Sequence, residues 1–261
     1  LGQNATMVLP GTKSPRGLAE AIEKYNINVF PASPTFLNLM MIEGVFQEYS
    51  MQSLRLVTYG TEPMSQELLL RLNEALPRVK FLQTFGTSET GIISTKSVSS
   101  DSLLIKFDDP NQQIKLVNEE LWIKSELRAV GYLNSDEDRF DNDGWFKTGD
   151  IVREIEDGVF EIVGRKSTII NVGGKKVYPS EVENVICKLN WIDDCTAFGS
   201  ANPITGQVVH ARVVSRRQDA KIDLRKEIKL HCSKFMESYK IPVKIIFQDK
   251  ISHSNRFKKQ T

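Results

Sequence analysis

Hydrophobic periodicity divides the chain into three stretches. In the first, apolar residues recur at helical spacing over 17–25, with Leu18, Ile22 and Tyr25 on one face. Residues 27–30 read as a short buried strand. Pro34-Thr35 opens a second helix carrying Phe36, Leu37, Leu39, Met40 and Met41, an apolar excess that fits a core or one wall of an apolar pocket. A strand at 54–59, an amphipathic helix at 65–76 with Ser65 at its N-cap, and a strand at 79–84 make a β-α-β unit. Its strands should be parallel and its crossover right-handed. Residues 94–110 follow neither period and read as a loop.

In the second stretch the period is two. Residues 114–117 and 120–124 flank Asn118-Glu119, and 150–155 and 159–165 flank Glu156-Asp157-Gly158. Polar turns between alternating runs predict antiparallel hairpins. After Arg165 the pattern changes again: a strand at 167–172, a tight turn at Gly173-Gly174 and a return at Val177-Tyr178. The helix behind carries Val182, Val185, Ile186 and Leu189 as one stripe, with Ser180 and Glu183 as a capping box. Strands at 195–198 and 208–214 follow, then a helix capped by Asp223 with Leu224, Ile228, Cys232 and Phe235 inward, then a strand at 243–247. The expected class is α/β plus α+β: a parallel α/β part at 1–95, an antiparallel β region at 96–166, and an α+β module at 167–261.

Composition narrows the functional classes. With 261 residues, 40% hydrophobic and 26% charged, the chain is ordinary globular protein with enough apolar content for more than one domain. A net charge of +1 offers no bulk electrostatic case for nucleic acid or an anionic membrane. No apolar run approaches membrane-spanning length and no signal peptide is evident. Cys187, Cys195 and Cys232 are too scattered for a disulfide framework or a thiolate metal site, so reduced thiols in a cytoplasmic protein are the default. His210, His231 and His253 share no ligand spacing, and His231-Cys232 falls inside a helical pattern as structural residues. The first residue is Leu1, so the chain is expected to be a piece of something longer.

Candidate chemistry gathers at strand ends. Gly60-Thr-Glu-Pro63 and Phe85-Gly-Thr-Ser-Glu-Thr-Gly91 follow the carboxyl ends of the parallel strands, where such sheets bind ligands. Backbone amides and hydroxyls in the second loop suit phosphate oxygens, and its lone carboxylate suits a magnesium ion shared with them. No Gly-Lys-Ser/Thr ending follows, so this is not a Walker-type P-loop. If 150–155 pairs with 159–165 about Asp157-Gly158, Asp150 and Arg165 meet at the open end. They then form either a surface ion pair or an acceptor beside a five-donor fork for one polar ligand.

Taken together, GTEPMS at 60–65, QTFGTSETG at 83–91, ELWIKS at 120–125, GYLN at 131–134, GWFKTGD at 144–150 and GRKSTIINVGGKKVYPSEVE at 164–183 resemble the adenylate-forming superfamily. That superfamily holds acyl-CoA synthetases, luciferases and peptide-synthetase adenylation domains. The resemblance covers nearly the whole chain. It implies a two-step ligase: a small-molecule carboxylic acid attacks the α-phosphate of ATP, with Mg2+, to give acyl-AMP and pyrophosphate, and a thiol then displaces AMP. It places Gly60, Thr61 and Glu62 along adenine, with Phe85 in place of the usual tyrosine and Gly86 beside it. It puts Ser88 at the phosphates, Glu89 on the metal, and Asp150 on the ribose with Arg165 assisting. In the tail, Ser254-Asn-Arg-Phe-Lys258 matches the essential-lysine motif, with Phe257 where glycine is usual and Lys259 as the alternative lysine. Lys258 would neutralise charge developing as the carboxylate attacks.

The resemblance also implies a hinge at Ser167, about which the last module swings between a pose that presents Lys258 and one in which Gly173 and Gly174 line the thiol tunnel. VYPSEVE favours coenzyme A as acceptor over the phosphopantetheine of a carrier protein. Residues 34–41 approach the acyl pocket. The family's lysine-bearing phosphate loop should lie upstream and is not found, so the first part is expected to be the C-terminal portion of an α/β subdomain, and the chain alone is expected to turn over little ATP. A rival expectation is a non-catalytic nucleotide-binding relative. It rests on Phe257, Ser167 and the shortened stretch before ELWIKS, against the retained Glu89, Asp150, Arg165 and Lys258.

Overall fold

The computed structural model describes residues 5–133, 139–217 and 220–250. Its first part holds helices α1 (Pro15–Tyr25), α2 (Pro34–Ile42), α3 (Val45–Glu48) and α4 (Gln66–Ala75) around strands β1 (Val29–Ala32), β2 (Leu56–Tyr59) and β3 (Lys80–Gln83). Each longer helix begins on a serine whose hydroxyl accepts a backbone N–H of the first turn: Ser14 from Gly17 (3.1 Å), Ser33 from Phe36 (3.2 Å) and Ser65 from Leu68 (3.2 Å). Proline at the start of α1 and α2 fixes φ where no helical donor is needed. The strands pair in parallel in the order β1-β2-β3, as the β-α-β pattern predicts. Ile22, Leu37, Met40, Val57, Leu69, Leu72 and Phe81 pack into one buried cluster. Each such side chain contributes about 1.5–3 kcal/mol on burial. Tyr25 departs from its expected face: it is the last residue of α1, Asn26 turns the chain in a left-handed conformation (φ 51°), and the ring lies in solvent.

The middle part is more ordered than its sequence pattern. β4 (Phe85–Thr87) and β5 (Gly91–Ile93) form a two-stranded hairpin. Residues 94–110, expected as a loop, contain β6 (Thr95–Ser97) and β7 (Leu104–Phe107). These strands are three and four residues long, too short to show a period. They extend a six-stranded antiparallel sheet with β8 (Gln112–Val117), β9 (Glu120–Ser125), β10 (Phe146–Glu156) and β11 (Val159–Arg165), in the order β6-β7-β11-β10-β9-β8. Both hairpins predicted here form. Asn118 (φ 53°) and Glu119 (φ 69°) take the left-handed conformation that a tight two-residue turn requires. Phe85, Ile93, Ile105, Leu121, Ile123, Val152 and Phe160 make this sheet's core.

The last part contains β12 (Ile170–Val172), β13 (Lys175–Val177), α5 (Pro179–Cys187), β14 (Ile192–Asn202), β15 (Gly206–Ser215), α6 (Lys221–Phe235) and β16 (Lys244–Gln248). The sheet runs β13-β12-β15-β14, and β16 joins β15 in parallel. Four details differ from the sequence pattern. Residues 166–168 form a 3-10 turn and the strand starts at Ile170. Pro179 starts α5 two residues earlier than a Ser180 cap allows, so Ser180 donates instead to the Val163 carbonyl (2.6 Å) and Glu183 accepts from the Ala197 N–H (2.9 Å). Asp223 lies inside the first turn of α6, not at its cap. Phe235, the last residue of α6, is exposed. Cys232 is buried, and the His231 ring nitrogen lies 2.9 Å from the Val185 carbonyl, joining α6 to α5 in the structural role expected.

Contacts across the parts fix the site. Asn38 of α2 donates to the Asp193 carbonyl (3.0 Å), and the Tyr178 hydroxyl donates to Glu119 (3.2 Å). Ile151, Val163 and Tyr178 pack as a small cluster between the sheets. Among the described residues, no helix is long and apolar enough to cross a membrane.

Candidate functional site

A cleft of about 340 Å³ lies where the carboxyl ends of β2 and β3, the open end of the β10–β11 hairpin, and α5 converge. Gly60, Thr61, Glu62, Phe85, Gly86, Asp150 and Arg165 all line it, so seven of the residues singled out from the sequence come together. Gly60 follows β2, and a Cβ there would lie 2.6 Å from the Thr84 carbonyl oxygen. The two strand ends therefore touch only because residue 60 has no side chain. Thr61 sits at φ 72°, unusual for a β-branched residue and worth about 1–3 kcal/mol of strain. The Glu62 carboxylate accepts the Thr35 N–H (2.8 Å) at the positive end of α2. Gly86 is equally constrained: a Cβ would meet the Gly91 carbonyl and the Ile92 Cα, both at 2.9 Å. Phe85 is buried and stands edge-on to Phe107, with ring centroids 5.8 Å apart.

Asp150 is the electrostatic centre of the cleft. The predicted register holds: Asp150 pairs with Arg165 across the hairpin, and the Arg165 Nε donates to the Asp150 Oδ1 at 2.8 Å. Arg165 also donates to the Thr148 carbonyl (3.1 Å). Thr148 ties the strand down, accepting from the Asp150 N–H (2.9 Å) and donating to the Leu121 carbonyl (2.7 Å). Asp150 is 6% exposed, and its Oδ2 is buried with no hydrogen-bond partner. Such an orphan acceptor costs about 1–3 kcal/mol or more. Burial pushes the carboxyl up to about 6, a rise that the Arg165 charge and the Thr148 hydrogen bond only partly oppose.

Ser88 and Glu89 lie beside the cleft, in the turn between β4 and β5, and do not line it. Ser88 is exposed and Glu89 half-buried. The Tyr132 hydroxyl donates to the Glu89 Oε1 at 2.6 Å. Burial opposes ionisation of Glu89, but hydrogen bonds from Tyr132 and the backbone, with the Arg139 charge, outweigh it and hold the carboxyl below its ordinary value. Among the described residues no three His, Cys, Asp or Glu side chains gather as a metal cage. One ionised, half-buried carboxylate fits a magnesium ion that takes its other ligands from phosphate and water.

Ser167 lies in the 3-10 turn that joins Arg165 to β12. Gly173 (φ 58°) and Gly174 (φ 83°) form the predicted tight turn between β12 and β13, away from the cleft. Lys258, with Ser254, Phe257 and Lys259, lies outside the described residues.

Several residues of the site are not apparent from the sequence pattern. Gln83, the last residue of β3, is buried on the cleft with an unpartnered Oε1; a polar residue closing a buried strand is its only signal. Glu120, also buried, accepts the Gly149 N–H (3.1 Å) and binds the Lys166 ammonium (3.0 Å), linking the strand of Asp150 to the turn holding Ser167. Of the apolar helix, Pro34, Thr35 and Asn38 reach the cleft, whereas Leu37 and Met40 are core.

The chain belongs to the AMP-binding enzyme family: the profile of that family matches residues 1–133, and that of the AMP-binding enzyme C-terminal domain matches residues 181–258. The chain is 27% identical over 256 residues to a long-chain-fatty-acid–CoA ligase of Haemophilus influenzae, covering 92% of this chain and 45% of the relative. It is 29% identical over 245 residues to acyl-CoA synthetase 7 of Caenorhabditis elegans, covering 88% and 45%. Its fold is similar to that of the anthranilate CoA ligase AuaEII, solved with anthranoyl-AMP, at a TM-score of 0.84 and 22% identity, covering 97% of this chain and 52% of the other. The chain thus spans about half the length of the curated relatives it matches.

Proposed function

We propose that this chain supplies one wall of the nucleotide site, and the swinging C-terminal module, of an AMP-forming acid–thiol ligase that makes acyl-AMP from a carboxylic acid and ATP and passes the acyl group to coenzyme A. One observation carries this: the buried, unpartnered Oδ2 of Asp150 in a cleft lined by Gly60, Thr61, Glu62, Phe85 and Gly86. Two carboxylate oxygens suit the two adjacent hydroxyls of a ribose, and a ribose there satisfies the orphan acceptor. Arg165 holds the carboxylate ionised and oriented. Phe85 offers a ring face to adenine, whose long edge runs along Gly60–Glu62. Ser88 donates to the phosphates. Glu89 would hold Mg2+, which neutralises phosphate charge when bound. Lys258 stabilises charge developing at the α-phosphate as the acid attacks.

Ser167 is the hinge of the swing that exchanges Lys258 for Gly173 and Gly174, whose turn then faces the incoming thiol. The relatives named for long-chain fatty acids favour an aliphatic acid, and their names favour coenzyme A as acceptor. A non-hydrolysable acyl-sulfamoyl adenosine tests the proposal by calorimetry on the 261-residue chain. It should bind, and Asp150→Ala should weaken it roughly tenfold or more, the worth of charge-assisted hydrogen bonds. Binding unchanged by Asp150→Ala, or no binding, would overturn the proposal.

A further inference from the structure

Helix α5 turns two faces to two environments. Val182 and Ile186 sit in the apolar cluster of the last module, whereas Ser180, Glu183, Asn184 and Cys187, at i, i+3, i+4 and i+7, form a second stripe that lines the cleft. The apolar cluster of the first part, with Leu37, Leu68 and Leu72, shares no residue with that of the last module. Along α5 the two parts therefore meet through polar contacts and not through a common core, the kind of junction that permits relative motion. Both ends of the helix are pinned. At its start the Ser180 hydroxyl donates to the Val163 carbonyl (2.6 Å), and Glu181 accepts from Arg153 (3.3 Å). Just past its end, the start of β14 meets α2 and α4. There the Asn38 amide donates to the Asp193 carbonyl at 3.0 Å, and Asn38 is only 5% exposed. The Asp193 carboxylate pairs with Arg216 of its own module (2.9 Å). Burial raises the Asp193 carboxyl, and the charges of Arg216 and then of Arg71, from α4, oppose that rise. Arg71, Asn38 and Asp193 all line the cleft.

We propose that Asn38 and Arg71 are positioning residues: together they clasp Asp193 and hold the last module over the cleft. The clasp sits at the end of α5 away from Val163 and the Arg165–Ser167 turn. The helix is nine residues long, about 13 Å, so a rotation about Ser167 separates Asp193 from its partners more than it separates Ser180 from Val163. Its bonds suit a contact that must be made and released. A single amide–carbonyl hydrogen bond and one charge across a water-lined gap stabilise a pose without locking it. The meaning for catalysis rests on the swing proposed above. The clasp favours the pose described here and opposes the one that brings Gly173 and Gly174 to the cleft.

Cys187 reports on the clasp without any added label. It is half-buried on the cleft face of α5, while Cys195 and Cys232 are buried inside the module. Iodoacetamide alkylation of the folded 261-residue chain, read at each cysteine by peptide mass spectrometry, is compared with that of Asn38→Leu, Arg71→Glu and Arg71→Lys. Asn38→Leu removes the donor to Asp193, and Arg71→Glu reverses the charge that Asp193 faces. Each should speed alkylation of Cys187 roughly threefold or more, within the worth of one hydrogen bond, and leave Cys195 and Cys232 protected. Arg71→Lys keeps the charge and should stay near the wild-type rate. An unchanged Cys187 rate would overturn the clasp. Equal acceleration at all three thiols, the mark of a lost fold, would overturn it too. No ligand enters this assay, so either result leaves the nucleotide site to the calorimetric test given above, and failure of that test leaves the clasp standing.

Discussion

Asp150→Asn should stabilise the free protein while damaging the site. The carboxyl is raised from 3.8 to about 6, chiefly by burial, so the folded state holds its proton more tightly than the unfolded state. Its contribution to stability is therefore fully present below about 3.8 and is lost as pH rises through about 6. Holding it ionised at neutral pH costs about 3 kcal/mol. The amide does not titrate and does not incur that cost. It gives up the ion pair with Arg165, whose side chain is 51% exposed and remains hydrated, so this loss is about 1 kcal/mol or less. The variant should thus gain on the wild type by roughly 1 kcal/mol between pH 5 and pH 7.5. Urea unfolding at the two pH values measures it. An advantage that is flat, or that shrinks as pH rises, would refute the electrostatic account. Ligand linkage runs the other way: ribose hydroxyls donate to the ionised form, so wild-type affinity for AMP should fall as pH drops below about 6, and the affinity of Asp150→Asn should be low and flat.

Two further outcomes follow from packing and polar satisfaction. Gly86→Ala forces backbone atoms of Gly91 and Ile92 to move from 2.9 Å, and should cost about 1–3 kcal/mol in thermal or urea unfolding; a neutral result would mean the β4–β5 hairpin is loose. Glu120→Leu leaves the buried Gly149 N–H without its acceptor and should cost about 1–3 kcal/mol, whereas Glu120→Gln keeps that bond and should cost less. Equal losses would place the value of Glu120 in its Lys166 pair instead.

Much of the frame is legible because it depends on local signals. Asp157-Gly158 between two alternating runs announces the β10–β11 hairpin, and with it the meeting of Asp150 and Arg165. Ser65 before an apolar helical stripe announces α4. What escapes is whatever depends on contacts distant in sequence. β6 and β7 are made strands by their neighbours, not by their own composition. Ser180 resembles a helix cap but donates to Val163 across to β11 instead. Glu120 stands beside Gly149 and Lys166 only through sheet register, and Arg139 turns inward from a run of acidic residues. The cleft is thus foreseeable in its motif residues and not in the buried charges that support them.

The proposed nucleotide site has Asp150 on the ribose of an adenine nucleotide. Calorimetric comparison of AMP with 2′,3′-dideoxy-AMP on the wild-type chain tests it most directly. AMP should bind roughly tenfold or more tightly, because only it carries donors for the buried Asp150 Oδ2. Equal affinity for the two nucleotides would contradict the assignment.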